Sequence, residues 1–152
     1  MKTEDINREE VKKEILDKID NSIFWEIVNI IDWRMVMGEK SEITKERLYD
    51  AIKQVERKEK LNKIDGRDYI KIEISYLKEY YDDILSLLEV YFKPVWLSDD
   101  CDGPSDDGYW DLRSSIIGFG QDFLIRSLGD DKLFLDMAKH HHYAENFGYI
   151  FH

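Results

Sequence analysis

The sequence predicts an all-α protein, a single domain built as an irregular bundle of about six to seven helices. Three observations carry this. Apolar residues recur three and four apart through most of the chain. Glycine and proline are nearly absent from the first part, where only Gly38 and Gly66 precede Pro94. Afterwards Pro94, Pro104 and six further glycines cut what remains into short helical lengths. At 152 residues with 43% hydrophobic side chains, a chain of this size buries roughly 68–70% of its unfolded surface and needs no disulfide or metal staple.

Taken in order, residues 7–20 place Val11, Ile15 and Ile19 at i, i+4, i+8, the narrow stripe of a helix laid on a surface. Residues 1–21 are therefore expected to form a peripheral N-terminal helix. From Ser22 the run IFWEIVNIIDWRMVM is apolar on more than one side, with Asn21 or Ser22 as N-cap and Gly38 at its end, which predicts a buried helix. Ser41 or Thr44 can cap the next, with Leu48, Ile52 and Val55 on its apolar face. IKIEISY alternates like a strand, but a stretch of about 25 residues without Gly or Pro predicts one helix over 67–92, stopped at Pro94. Ser105 then caps a helix ending near Gly118 or Gly120, a shorter one ends at Gly129, and Asp130 caps LFLDMAKHHH. Residues 22–135 form the core of this scheme. Residues 136–152, aromatic and apolar toward the end, are expected to pack back on it.

Charge narrows the function classes. Residues 1–75 hold 16 basic and 18 acidic side chains, net −2, while residues 76–152 hold 6 and 15, net −9, which together give the −11 of the whole chain. Nucleic-acid backbones are bound by lysine and arginine displacing counterions, so this balance argues against DNA or RNA and for a basic protein partner. The start is charged throughout, and Glu26, Asn29 and Asp32 interrupt the longest apolar stretch, so neither an export signal nor a membrane partner is expected. Cys101 is the single cysteine, which excludes an internal disulfide and fits a reducing, cytoplasmic location.

Three constellations could carry chemistry. The stretch WLSDDCDGPSDDGYWDLR packs six aspartates into Asp99 to Asp111, and hard cations need several converging oxygens, so Asp100, Asp102, Asp106 and Asp107 would be the ligands of any metal. The EF-hand spacing fails whether Gly103 or Gly108 is taken as the turn glycine, and Asp106 and Asp107 suit the first turn of a helix. His140, His141 and His142 point about 100° apart on a helix and do not converge on one ion, although Asp136 shares a face with His140. The third is aromatic. Among 4 Trp, 9 Tyr and 7 Phe, the tyrosines Tyr69, Tyr76, Tyr80, Tyr81 and Tyr91 crowd one helix with Glu79, Asp82, Asp83 and Glu89, a tyrosine and carboxylate surface suited to a basic protein. No nucleophile elbow and no phosphate loop occurs, Cys101 sits between two aspartates that disfavour its thiolate, and no cofactor is expected.

Phe24-Trp25-Glu26-Ile27, then Ser105-Asp106-Asp107-Gly108-Tyr109, then Leu112-Arg113 with Ile116-Ile117 and Gly120, resemble a bacterial domain-of-unknown-function family. Its pattern reads FW-x-[IL]-[IV] followed by SDDGF-x-x-FR-x-W-[LI]-I-x-x-G. The likeness covers residues 23–135, with Tyr109 and Leu112 in place of phenylalanines and Ser115 in place of the tryptophan. It implies a helical, cytosolic bacterial protein with no established activity, and it singles out Asp106 or Asp107 with Arg113 as a charged pair. The expectation is a non-enzymatic interaction module, of the immunity or antitoxin type, whose contact residues are Tyr80, Tyr81, Asp106, Asp107, Trp110 and Arg113. The alternative is a metal-assisted hydrolase or small-ligand binder using the 98–111 loop.

Overall fold

A computed structural model describes residues 3–31, 41–61, 71–97 and 106–140. Among the described residues all regular structure is helical, in seven helices: α1 (Thr3–Lys18), α2 (Ser22–Ile31), α3 (Ser41–Leu61), α4 (Ile74–Trp96), α5 (Asp106–Gly118), α6 (Gln121–Leu128) and α7 (Asp131–His140). The protein is all-α, and the longest helix, α4, organises it. Helix α1 lies along α4, α2 packs on α3, and α5, α6 and α7 follow one another with α5 and α7 both returning to α4. The tail from residue 141, Ser105 and most of the aspartate-rich loop lie outside the described residues.

The stripes read from the sequence become the core. Ile15 of α1 and Ile19 just after it are buried, as are Leu48, Ile52 and Val55 of α3. Helix α2 buries Phe24, Trp25, Ile27, Val28 and Ile31, more than one side of a short helix. In α4 the buried stripe is Leu77, Tyr81, Ile84, Leu85, Leu88, Tyr91, Phe92 and Val95. Two aromatic clusters close its ends. Phe24 meets Trp25 edge-on at 5.0 Å and Tyr80 at 4.7 Å near the start. At the far end Phe92 stacks on Phe134 at 4.4 Å and Trp96 on Tyr109 at 4.9 Å. Ring pairs of this kind add about 0.5–1.5 kcal/mol each beyond the area they bury.

The limits of α4 differ from the expected ones at both ends. The helix begins at Ile74 and not at 67, because Ile72 is buried and gives its N–H to Glu56 Oε2 at 2.9 Å, which holds residues 71–73 outside the helix. Pro94 does not stop it either. The ring removes one donor, to the Val90 carbonyl, yet the helix runs on to Trp96, with Val95 buried and Trp96 stacked on Tyr109. Leu97 N–H then closes the last turn on Lys93 O at 3.0 Å.

Polar bonds tie the helices where packing alone would let them slide. Arg8 reaches across α4 to α7, where two of its nitrogens bond the Asp131 carboxylate and Nε bonds Tyr91 O at 2.9 Å. Asp130 caps α7 through Lys132 N–H at 3.0 Å. Gly120, between α5 and α6, has φ +108° and ψ 169°, a conformation open essentially to glycine alone.

Candidate functional site

The corner between α1 and α2 meets the first turns of α4 in an open groove of about 550 Å³. Asp17, Lys18, Asp20, Asn21, Ser22 and Ile23 form one side, and Tyr76, Tyr80 and Asp83 the other. The spacing of the second wall follows from the helix. Residues 76, 80 and 83 stand one turn apart beside the buried stripe 77, 81, 84 and 88, so they flank the face that enters the core.

Each wall is held in place. Asn21 Oδ1 accepts the N–H of Phe24 at 3.2 Å, capping α2, and its Nδ2 donates to the Tyr76 hydroxyl at 2.8 Å. One amide thus starts a helix and fixes a groove phenol. The Tyr80 hydroxyl donates to Lys18 O at 2.5 Å, closing the end of α1, and Gln121 Nε2 bonds Ile19 O, joining α6 to the same corner. Trp25 Nε1 is buried without a partner of hydrogen-bonding geometry, and it faces the Tyr80 phenol, whose ring lies 6.4 Å away.

The electrostatics are one-sided. Three carboxylates against one ammonium leave the lining at −2, and among the described residues none of Asp17, Asp20 and Asp83 forms an ion pair. Burial, helped by the field of Asp20, pushes the Tyr80 phenol above its ordinary value, so it remains a neutral hydrogen-bonding group. Tyr76 accepts from Asn21 and keeps its own O–H proton for an outside acceptor. The arrangement offers carboxylates, ring faces and a phenol donor, which is the chemistry of binding a cationic group.

The structure separates the residues that the sequence had grouped. Tyr80 lines the groove, but Tyr81 is fully buried, donating to Ser114 Oγ at 2.6 Å, and Tyr91 is buried with its hydroxyl on Leu128 O. Neither lies on a surface, because both fall on the inward stripe of α4. Burial holds both phenols above the ordinary value. Arg113 is 6% exposed. Its Nε donates to Tyr109 O at 3.3 Å, its Nη1 to Leu85 O at 3.1 Å, and the guanidinium lies 4.4 Å over the Tyr109 ring. Desolvation lowers its pKa, against the fields of Tyr109 and Glu89. It is a packing group between α4 and α5.

Asp106 and Asp107 stand in the first turn of α5, where the sequence put them, with side chains outside the described set. Trp110 is half-buried against the core, and Ser115, at the place of the resembled family's tryptophan, is fully buried with its hydroxyl donating to Asp111 O at 2.8 Å. Asp100, Asp102, His141 and His142 lie outside the described residues, and His140 ends α7. Among the described residues no group of three or more His, Cys, Asp and Glu gathers to hold a metal ion, and no helix is long and apolar enough to cross a membrane.

The sequence reading missed Asp17 and Asp20, the acidic half of the groove's first wall. Their only signal was the break after Lys18, where Asp20 and Asn21 end one helix and cap the next. Comparison of the chain with family models, with curated proteins and with solved structures finds no match.

Proposed function

We propose that this protein is a non-enzymatic docking module that receives a basic segment of a partner protein in the groove between the α1–α2 corner and the start of α4. One observation carries the reading: Asp17, Asp20 and Asp83 stand around a concave surface with no ion pair among the described residues, between two phenols already anchored by Asn21 and Lys18. An anionic concavity raises the local concentration of a cationic partner and selects it by charge. In this reading the protein works in the bacterial cytoplasm, covering a basic surface as an immunity protein or antitoxin does.

The test is fluorescence anisotropy with a labelled basic peptide. The triple variant Asp17→Asn, Asp20→Asn, Asp83→Asn is compared with a control of equal net charge, Glu46→Gln, Asp50→Asn, Asp136→Asn, at exposed positions elsewhere. The groove variant should lose about tenfold or more in affinity and the control much less. Equal losses would mean that the chain attracts cations only through its overall charge, and the groove would be no site. A melting temperature raised by calcium or manganese alone would favour the metal-binding alternative at residues 98–111.

A further inference from the structure

We propose that the α1–α2 corner is a conformational switch, bent in the single chain and straight in a dimer in which two copies exchange α1; this does not rest on the docking reading. Neither glycine nor proline occurs between Thr3 and Ile31, and only Ile19, Asp20 and Asn21 separate the two helices. Asp20 and Asn21 favour helix ends without forbidding a helix interior. The bend is held instead by side chains. Tyr80 O–H donates to Lys18 O and Gln121 Nε2 to Ile19 O, while Asn21 Oδ1 takes the N–H of Phe24. In a continuous helix those same carbonyls would accept from the N–H groups of Ser22 and Ile23, and Phe24 N–H would turn to Asp20 O. Bent and straight forms thus satisfy the same backbone groups by different partners, which makes the corner two-state.

Helix α1 is built to be exchanged. It runs opposite to α4, with Lys18 beside Tyr80 at one end and Arg8 beside Tyr91 at the other, where Arg8 is latched to Asp131. A second copy's α1 would make the same bonds on the same surface, so these contacts cancel between the two forms. The balance then falls to the corner and to what the dimer adds. Leu16 supplies the addition: it is 42% exposed among Glu9, Glu10, Lys12 and Lys13. In a straight helix Leu16, Ile23 and Ile30 stand seven residues apart on one face, and Ile23 and Ile30 are only partly buried. That repeat is a seam on which two straight helices pair, and the bend splits it.

Size-exclusion chromatography with light scattering, after refolding at high protein concentration, tests the exchange. The parent should give a dimer beside the monomer, and Asn21→Ala, which removes the cap of the bent form, should raise its share severalfold. Ser22→Pro should abolish the dimer and leave the monomer's melting temperature unchanged or higher. Ser22 is the first residue of α2, where proline suits a helix start but interrupts a continuous helix. Arg8→Glu and Asp131→Arg each place like charges at the latch, and crossed pairs restore opposite charges at both latches. Refolded together, they should give about tenfold more dimer than either alone. A charge-reversed chain that is partly unfolded alone should regain its far-UV dichroism in the mixture. Monomer only from the parent and Asn21→Ala, a dimer that persists in Ser22→Pro, or no gain of dimer on mixing overturns the proposal.

Discussion

Replacing Gly120 by alanine should destabilise the protein, while the same change at Gly129, nine residues on, should not. At Gly120 the backbone has φ +108° and ψ 169°, where a Cβ carries a cost of order 1–3 kcal/mol. The new methyl would lie 3.3 Å from Asn29 Oδ1, but Asn29 is exposed and its amide can turn away, so backbone strain dominates. For a chain of this length each kcal/mol moves the melting temperature by about 2–4 °C, so Gly120→Ala should melt roughly 2–12 °C lower. Gly129 has φ −99° and ψ −2°, and its Cβ would meet Arg126 O at 3.8 Å, an ordinary contact. There alanine restricts the unfolded chain and should add about 0.4–1 kcal/mol. Thermal melts followed by far-UV dichroism, with urea midpoints at unchanged slope, separate the two. If Gly120→Ala melts with the parent, or the two variants move together, the positive-φ corner between α5 and α6 is not what positions α6 and, through Gln121, the α1–α2 corner.

Asn21→Ala removes the α2 cap and the bond to Tyr76 together and should cost about 0.5–2 kcal/mol in urea denaturation, with Asn21→Ser recovering most of the stability but not the Tyr76 bond. Tyr81→Phe leaves Ser114 Oγ without its donor in the core and should cost about 1–3 kcal/mol, and the double variant with Ser114→Ala should lose no more than Tyr81→Phe alone, in a double-mutant cycle of urea midpoints. Tyr80, Tyr81 and Tyr91 are all held above the ordinary phenol value by burial. The unfolded chain therefore releases these protons first, so their contribution to stability is intact below about pH 10 and is lost as pH rises beyond it. Urea midpoints across that range should fall while part of the phenolate absorbance appears only on unfolding; normal titration of every tyrosine in the folded protein would contradict the buried placement.

Much of the fold is legible in the sequence because helix faces depend on local spacing. Val11, Ile15 and Ile19, or Leu48, Ile52 and Val55, declare their inward side without knowledge of what covers them. The start of α4 is not legible in that way. Ile70, Ile72 and Ile74 alternate like a strand while Tyr69, Ile72 and Tyr76 recur at helical spacing, and the choice falls to a distant carboxylate, Glu56, that takes the Ile72 amide. Pro94 stands inside the helix, which continues to the buried Val95 and the stacked Trp96, a packing that local spacing does not declare. The tyrosine surface was half legible. Five tyrosines near one helix suggest an interface, but a rotation of one residue, about 100°, decides that Tyr80 meets solvent while Tyr81 enters the core. The groove itself joins the α1–α2 corner to the start of α4, distant in sequence, and Asp17 and Asp20 have no periodic signal. The resemblance implies that Arg113 forms a charged pair with Asp106 or Asp107; its described bonds go to main-chain carbonyls and a ring.

The central claim is that cationic peptide enters at the α1–α2 corner. Amide chemical shifts recorded while the basic peptide is added test it most directly. Shifts confined to residues 17–23 and 76–83, saturating with one peptide per chain, are the predicted result. Shifts spread evenly over acidic positions, or centred on a different face of the bundle, would contradict it.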